Sequence, residues 1–438
     1  MFTSMFRRSM LGAGGAGGML KAAIAGTDSV DILIAGDSNT NFSGWGWADG
    51  LTHALINTTA AVDYATPILP TTAWDSAFYY GVNNTTSATS KINAAGTVVA
   101  PAGSSSLGGT LAKGSVSGPS GLSNLMKRKT GTLQPVSSPF DYGYIASGDW
   151  DDSSLGVYLY EVPTKLSWVG SELRFRVVHG VGPSMGTIRL AARLDEAPFT
   201  TLGTQSITCA AASYAWQAGT LTVSADATRT GKYAACYVCR NGISSSRLTG
   251  EVAMALMSVS RPIKGICVST ISHHGGASMD TIASNVSEGN TIVSNYLKEA
   301  RLRQISCGGT GKVIVCIHGG INTGTAAWGV SASSFFALCE SEWNALGYPA
   351  SDLACLGFVS HQRDVTDGMK TERDSASALT ASNSKYKTID LTGLITYAEL
   401  LAGSGAVSYF SNAVTDRNHL TAAGYQEVSK RIVAALIA

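Results

Sequence analysis

Four short stretches hold residue types that together could cleave an ester. Gly36-Asp37-Ser38-Asn39-Thr40 follows a short apolar run and sets a serine just past a glycine that permits a sharp turn. Gly275-Gly276 follows the apolar run Ile266–Ile271, with His273 and His274 immediately before it. Gly320-Ile321-Asn322 comes after Val313–Ile317, and Asp416-Arg417-Asn418-His419 precedes a closing helical pattern. Acyl transfer needs a nucleophile, a base to take its proton, an acid to orient that base, and N–H donors for the oxyanion. The set supplies each: Ser38 as nucleophile, His419 as base, Asp416 as orienting carboxylate. The backbone N–H groups of Ser38 and Gly276 and the side-chain amide of Asn322 are the donors. Asp-x-x-His is short enough for both side chains to belong to one loop. Taken alone, Gly-Asp-Ser is equally well explained as a turn or a helix N-cap; the joint occurrence gives it weight.

These residues need a scaffold that brings distant segments to one edge. Val30–Ala35, Ile266–Ile271, Val313–Ile317, Cys355–Val359 and Lys387–Leu391 read as short buried strands. Leu51, Leu55 and Ile56 stand at helical spacing after Ser38, and Ile292, Tyr296, Leu297 and Leu302 do so before Ile305. Helix is also expected over 333–346 and from after His419 to Ile437. Strand, glycine-rich turn and helix in that order define an α/β fold with a doubly wound parallel sheet flanked by helices. In such a sheet the first three stretches leave from strand C-termini on one rim, where open α/β folds place their ligands.

The interval between Ser38 and Gly276 far exceeds a short connection within such a domain. From about Pro139 to Pro262 the pattern turns to alternation, as in Leu173-Arg-Phe175-Arg-Val177 and Val252-Ala-Met254-Ala-Leu256, broken by Gly, Pro and Asn. That reads as an inserted all-β domain, sandwich- or jelly-roll-like. The expected organisation is an N-terminal segment 1–27, the first part of the catalytic domain with a loop-rich connection 28–138, the β-insert 139–262, and the second part 263–438. A competing placement of the glycine block at Thr66–Pro70, after a possible strand at 62–65, lacks any glycine to let backbone approach a substrate.

Composition narrows the partners. With 31 basic against 30 acidic residues, net charge +1 and 14% charged residues, phosphate neutralisation is a poor basis for binding, so no nucleic acid is expected. No run of apolar residues is long enough to span a membrane. Eight scattered cysteines read as buried thiols, and the single C-x-x-C, Cys236 and Cys239, lacks a second pair or a histidine at ligand spacing, so no metal site is expected. Residues 1–26 carry Arg7-Arg8 and a small-residue end that imitate an export signal, but closely spaced glycines make a poor apolar core, which favours a retained anchor. Forty-nine glycines point to a loop-rich or β-rich extracellular or virion-associated protein, an exported bacterial protein being the alternative. Trp45 and Trp47 either pack the start of the first helix or line a sugar-binding cleft, and His273 and His274 either touch substrate or bond backbone.

The four blocks resemble the SGNH (GDSL-like) hydrolase family of esterases and lipases. Gly36-Asp37-Ser38-Asn39-Thr40, Gly275-Gly276, Gly320-Ile321-Asn322 and Asp416-Arg-Asn-His419 match its blocks in order, over roughly residues 28–56 and 263–438. Thr323 stands where the family often has Asp. The resemblance implies nucleophile Ser38, oxyanion donors Ser38, Gly276 and Asn322, and an Asp416/His419 pair, with no cofactor. SGNH domains with a lectin-like insert resemble carbohydrate O-acetylesterases, including those on bacteriophage tails. The implied partner is an acetylated polysaccharide or small ester, the chain acting as a homo-oligomer or within a virion assembly. The rival is a catalytically silent glycan-binding or structural tail or capsid protein on the same fold.

Overall fold

The computed structural model describes residues 15–36, five helical positions between 47 and 55, short strands between 69 and 162, most of 170–272, and 290–319, 328–359, 361–363, 370–383 and 386–438 apart from residue 406. The chain forms two compact units, Met1–Asp63 with Ile263–Ala438, and Tyr64–Pro262.

The first unit is built on five strands: β1 (Val30–Gly36), β2 (Ile266–Ser272), β3 (Lys312–Gly319), β4 (Leu353–Val359) and β5 (Tyr386–Asp390). Their order is β2-β1-β3-β4-β5 and every neighbouring pair is parallel. The strands are apolar nearly throughout because helices cover both faces, leaving no polar side to the sheet. Alternation sorts the residues. Ile32, Ile314 and Phe358 share an apolar cavity with Leu20 of helix α1 (Ala16–Ile24), with Leu55, and with Val433 of the C-terminal helix. Asp31 points to the other face, where its carboxylate accepts from Arg303 Nε at 2.8 Å and Gln304 Nε2 at 3.2 Å, both on α2 (Asn290–Ser306). With both ionic side chains out of water, this pair fixes which residues of α2 lie over β1. Helix α3 (Trp328–Ala345) covers the same face, its Phe336 ring 5.0 Å from Tyr386, and α4 (Lys370–Ser382) lies beside α3, where Gly329 N–H donates to Ser375 Oγ at 2.6 Å.

Part of the N-terminal stretch that resembles an anchor or signal is helix α1. Met19, Leu20 and Ala23 are buried, and Gly26 ends the helix at φ 70°, a left-handed conformation natural to glycine.

After β5 come α5 (Tyr397–Ala402), a hairpin of β6 (Phe410–Asn412) and β7 (Asp416–Leu420), and α6 (Ala422–Ile437). Asp416-x-x-His419 therefore lies on a short strand and not in an open loop. The physical reason is Asn412, whose Oδ1 accepts from Val414 N at 2.9 Å and Thr415 N at 3.0 Å and folds the chain into a tight turn. Thr421 caps α6, its hydroxyl accepting from Gly424 N at 3.1 Å.

The second unit holds antiparallel sheets. Ala215–Val223, Leu173–Val181 and Val252–Ser260 are neighbours in one, with Leu69–Pro70 and Tyr144–Ala146 both paired to the last. Tyr158–Val162, Ala234–Arg240, Thr187–Leu194 and Thr201–Thr208 form the other. Leu173, Phe175 and Val177, and likewise Ile188, Leu190 and Ala192, are the buried alternate residues. The expected strands from 155 to 259 correspond to these, while Thr201–Thr208 was not foreseen.

Candidate active site

Three adjacent strands end together. Gly36 pairs with Ser272 and Ala35 with Ile317, so β1, β2 and β3 release the chain on one rim, with β1 in the middle. Because the strand after β1 lies on one side of it and β3 on the other, this rim carries the switch point that gives open α/β sheets a ligand crevice. Ser38, His273, His274, Gly276 and Asn322 follow these strand ends within a few positions in the sequence but lie outside the described residues, as does Trp45. The possible strand at 62–65 lies outside them too. Of the competing block only Leu69–Pro70 is described, and it pairs with Val252–Ser260 in the second unit.

Asp416 and His419 meet. His419 Nδ1 donates to both carboxylate oxygens, at 3.1 Å to Oδ1 and 3.0 Å to Oδ2. Oδ1 also accepts the backbone N–H of Asn418 and of His419, each at 3.2 Å. Burial alone opposes ionisation of Asp416, but the His419 side chain and these backbone donors outweigh it and hold the carboxyl below its ordinary range. The His419 side chain is 31% exposed, and a carboxylate bound at Nδ1 is the kind of partner that fixes which ring nitrogen of an imidazole carries the proton.

What carries this pair to the sheet was not foreseen. Two residues past the end of β4 stands His361, fully buried, whose Nε2–H donates to the Arg417 carbonyl at 3.1 Å. Arg363 Nη1 donates to Asn418 Oδ1 at 3.0 Å. Since Val359 of β4 pairs with Gly319 of β3, strand β7 is fastened to the rim from which β1, β2 and β3 also release the chain. A histidine just beyond a buried strand was the only signal, and its partner lies 56 residues away.

Trp47 is wholly buried and offers no surface to a ligand; it packs the helix start, the first of the two roles the sequence allowed. Its ring lies 5.0 Å from that of His318 and 5.0 Å, edge-on, from Tyr425 of α6. A Cβ on Gly50 would stand 2.6 Å from both Ser429 Oγ and the Tyr425 carbonyl oxygen, so glycine is what lets this helical stretch close on α6. The helical segment after Ser38, the strand before Asn322 and the helix after His419 are thus joined beneath the rim by three buried rings.

Burial holds His318 neutral, lowering its pKa from 6.5 to about 3. Between these values the unfolded chain binds a proton that the folded protein does not, so stability is full above about pH 6.5 and falls as pH drops. Urea titrations at pH 7 and pH 4.5 should show the wild type losing about 2–3 kcal/mol more than His318→Gln over that interval; equal losses would mean His318 is not held neutral.

Cys209, Cys267, Cys307, Cys316, Cys339 and Cys355 are buried thiols outside any disulfide, packed as small hydrophobes. Among the described residues no group of three or more His, Cys, Asp and Glu could hold a metal, and no helix is long and apolar enough to cross a membrane.

No protein-family model and no curated protein matches the chain. Among solved structures, the chain is similar to protein YXIM of Bacillus subtilis at 12% identity over 66% of this chain and 82% of that one, with TM-score 0.30. It is also similar to an arabinose-bound α-L-arabinofuranosidase, at 11% identity over 83% and 58% with TM-score 0.31. An acetyl xylan esterase, Est2A, from the rumen bacterium Butyrivibrio proteoclasticus aligns at 9% identity over 59% and 88%, with TM-score 0.20. Likeness this slight bears on neither the site nor its chemistry.

Proposed function

We propose that the chain is a serine esterase of SGNH type that removes O-acetyl groups from a surface polysaccharide through an acyl-enzyme intermediate. The observation that carries this reading is the Asp416–His419 pair, hydrogen-bonded at 3.0 Å and fastened beside the C-terminal ends of the parallel strands. Ser38 Oγ attacks the acetyl carbonyl while His419 Nε2 takes its proton, and Asp416 steadies the imidazolium that forms. The N–H groups of Ser38 and Gly276 and the Asn322 amide receive the oxyanion. Collapse expels the sugar hydroxyl, protonated by His419. Water, deprotonated by the same ring, then releases acetate and restores Ser38.

On this reading the five-strand sheet is a doubly wound SGNH core, supported by its strand order, and the second unit is a sandwich- or jelly-roll-like glycan reader. Low charge and abundant glycine support an extracellular or virion-associated setting. Hydrolysis of p-nitrophenyl acetate by the wild type and its loss, by about 10⁴-fold or more, in Ser38→Ala test the chemistry. Equal activity in the variant removes the esterase assignment. Acetate release from a panel of acetylated polysaccharides then identifies the substrate.

A further inference from the structure

We infer that His361 and Arg363 are positioning residues that set the geometry of the Asp416–His419 pair, an inference that rests on the esterase reading for its effect on turnover. In a regular strand, residues three apart point to opposite faces, so Asp416 and His419 of β7 could not touch. They do touch, because the backbone between them curls: the N–H groups of Asn418 and His419 both turn toward Asp416 Oδ1, at 3.2 Å. The ladder to β6 is correspondingly irregular, made at Leu420 with Phe410 and at Asp416 with Asn412, with a register shift between. A curl of this kind has to be held from its other side. His361 Nε2–H supplies the hydrogen bond of the Arg417 carbonyl and Arg363 grips the Asn418 side chain, so the two residues between acid and base are each bound by one of the two.

The His361 ring is fully buried and lies 6.0 Å from that of Phe410 on β6, which bars it from swinging aside and lets it brace both strands of the hairpin. Arg417 adds a bond within the hairpin, Nε donating to the Ala413 carbonyl at 2.7 Å. Neither His361 nor Arg363 needs to meet substrate. Each acts through the backbone that aims His419 Nε2, and small misplacements of a catalytic base cost far more in turnover than in binding.

The test compares His361→Phe, which keeps a ring against Phe410 but donates nothing, with His361→Gln, whose amide N–H can reach the same carbonyl, and with Arg363→Met on the less buried side. On p-nitrophenyl acetate, kcat should fall about 10- to 100-fold in His361→Phe with KM within about twofold, recover most of the loss in His361→Gln, and fall severalfold in Arg363→Met. The downfield proton resonance of His419 Nδ1–H reports the Asp416 bond without any substrate. It should broaden or vanish in His361→Phe and Arg363→Met and persist in His361→Gln. A wild-type kcat and an unchanged resonance in His361→Phe overturn the inference, as do equal losses in His361→Phe and His361→Gln that track a lowered Tm. If the wild type hydrolyses no ester, the esterase reading fails by itself and the resonance alone decides: its loss in His361→Phe and Arg363→Met sustains the positioning role, and its persistence overturns it.

Discussion

Asp416→Asn is expected to lower kcat for p-nitrophenyl acetate by about 10⁴-fold while leaving Tm within a few degrees of the wild type. Asparagine has nearly the shape of aspartate, so the hairpin has no steric reason to change. The electrostatics decide the outcome. Oδ1 receives two backbone N–H groups, so the asparagine carbonyl oxygen must occupy that position and its NH₂ must take the place of Oδ2. The NH₂ then faces His419 Nδ1, which stands 3.0 Å from Oδ2 in the native protein, and can only donate to it. Imidazole responds by moving its proton to Nε2, the atom that in the proposed mechanism accepts the proton of Ser38. The base is thereby lost without being displaced. Saturation kinetics with a thermal melt of each protein check this, and a fall below about tenfold would mean that His419 is not the base.

The largest expected effect on stability is at Trp47. Truncation to Ala removes a fully buried indole from contact with His318 and Tyr425 and leaves a cavity at the meeting point of a strand and two helical segments. Loss of about 3–5 kcal/mol is expected from burial and cavity terms together. Trp47→Phe, which keeps a ring between its two neighbours, should recover most of it. Urea denaturation measures both. A change in KM for saccharide esters with stability untouched would instead assign Trp47 to a substrate cleft.

How far the sequence could be read follows from what each element buries. The five core strands were clear because a sheet covered on both faces demands unbroken apolar runs such as Val313-Ile-Val-Cys-Ile317. Helix α4 was missed: Lys-Thr-Glu-Arg-Asp-Ser opens it, and among its residues of described burial only Ala376 and Leu379 are buried, too few to set a period. Strand Thr201–Thr208 was missed for a similar reason: it is mostly polar, and 202–208 are half or fully exposed on one edge of its sheet. The Asp416–His419 contact could be read from spacing because it is local. His361 and Arg363 could not, since what gives them a role is a strand that arrives more than fifty residues later. Trp47 was ambiguous because an aromatic near a glycine-rich turn suits a wall or a core equally well, and Tyr425, which settles its burial, lies at the far end of the chain.

The position of β1 between β2 and β3 also bears on the order in which the protein can assemble. It is the first of the five core strands to be synthesised, yet both partners come late: Gly36 pairs with Ser272 and Ala35 with Ile317. At about 5–20 residues per second on the ribosome, the apolar stretch Ile32–Ala35 waits roughly 10–50 s for its first neighbour. Strands such as Leu173–Val181 and Ala215–Val223 find each other within a short span of chain, so the second unit can close while the first is still open. The equilibrium cost of so long a loop is small, because closure entropy grows only with the logarithm of length. The burden is kinetic, falling on a hydrophobic strand that waits for its partners while the whole second unit is made.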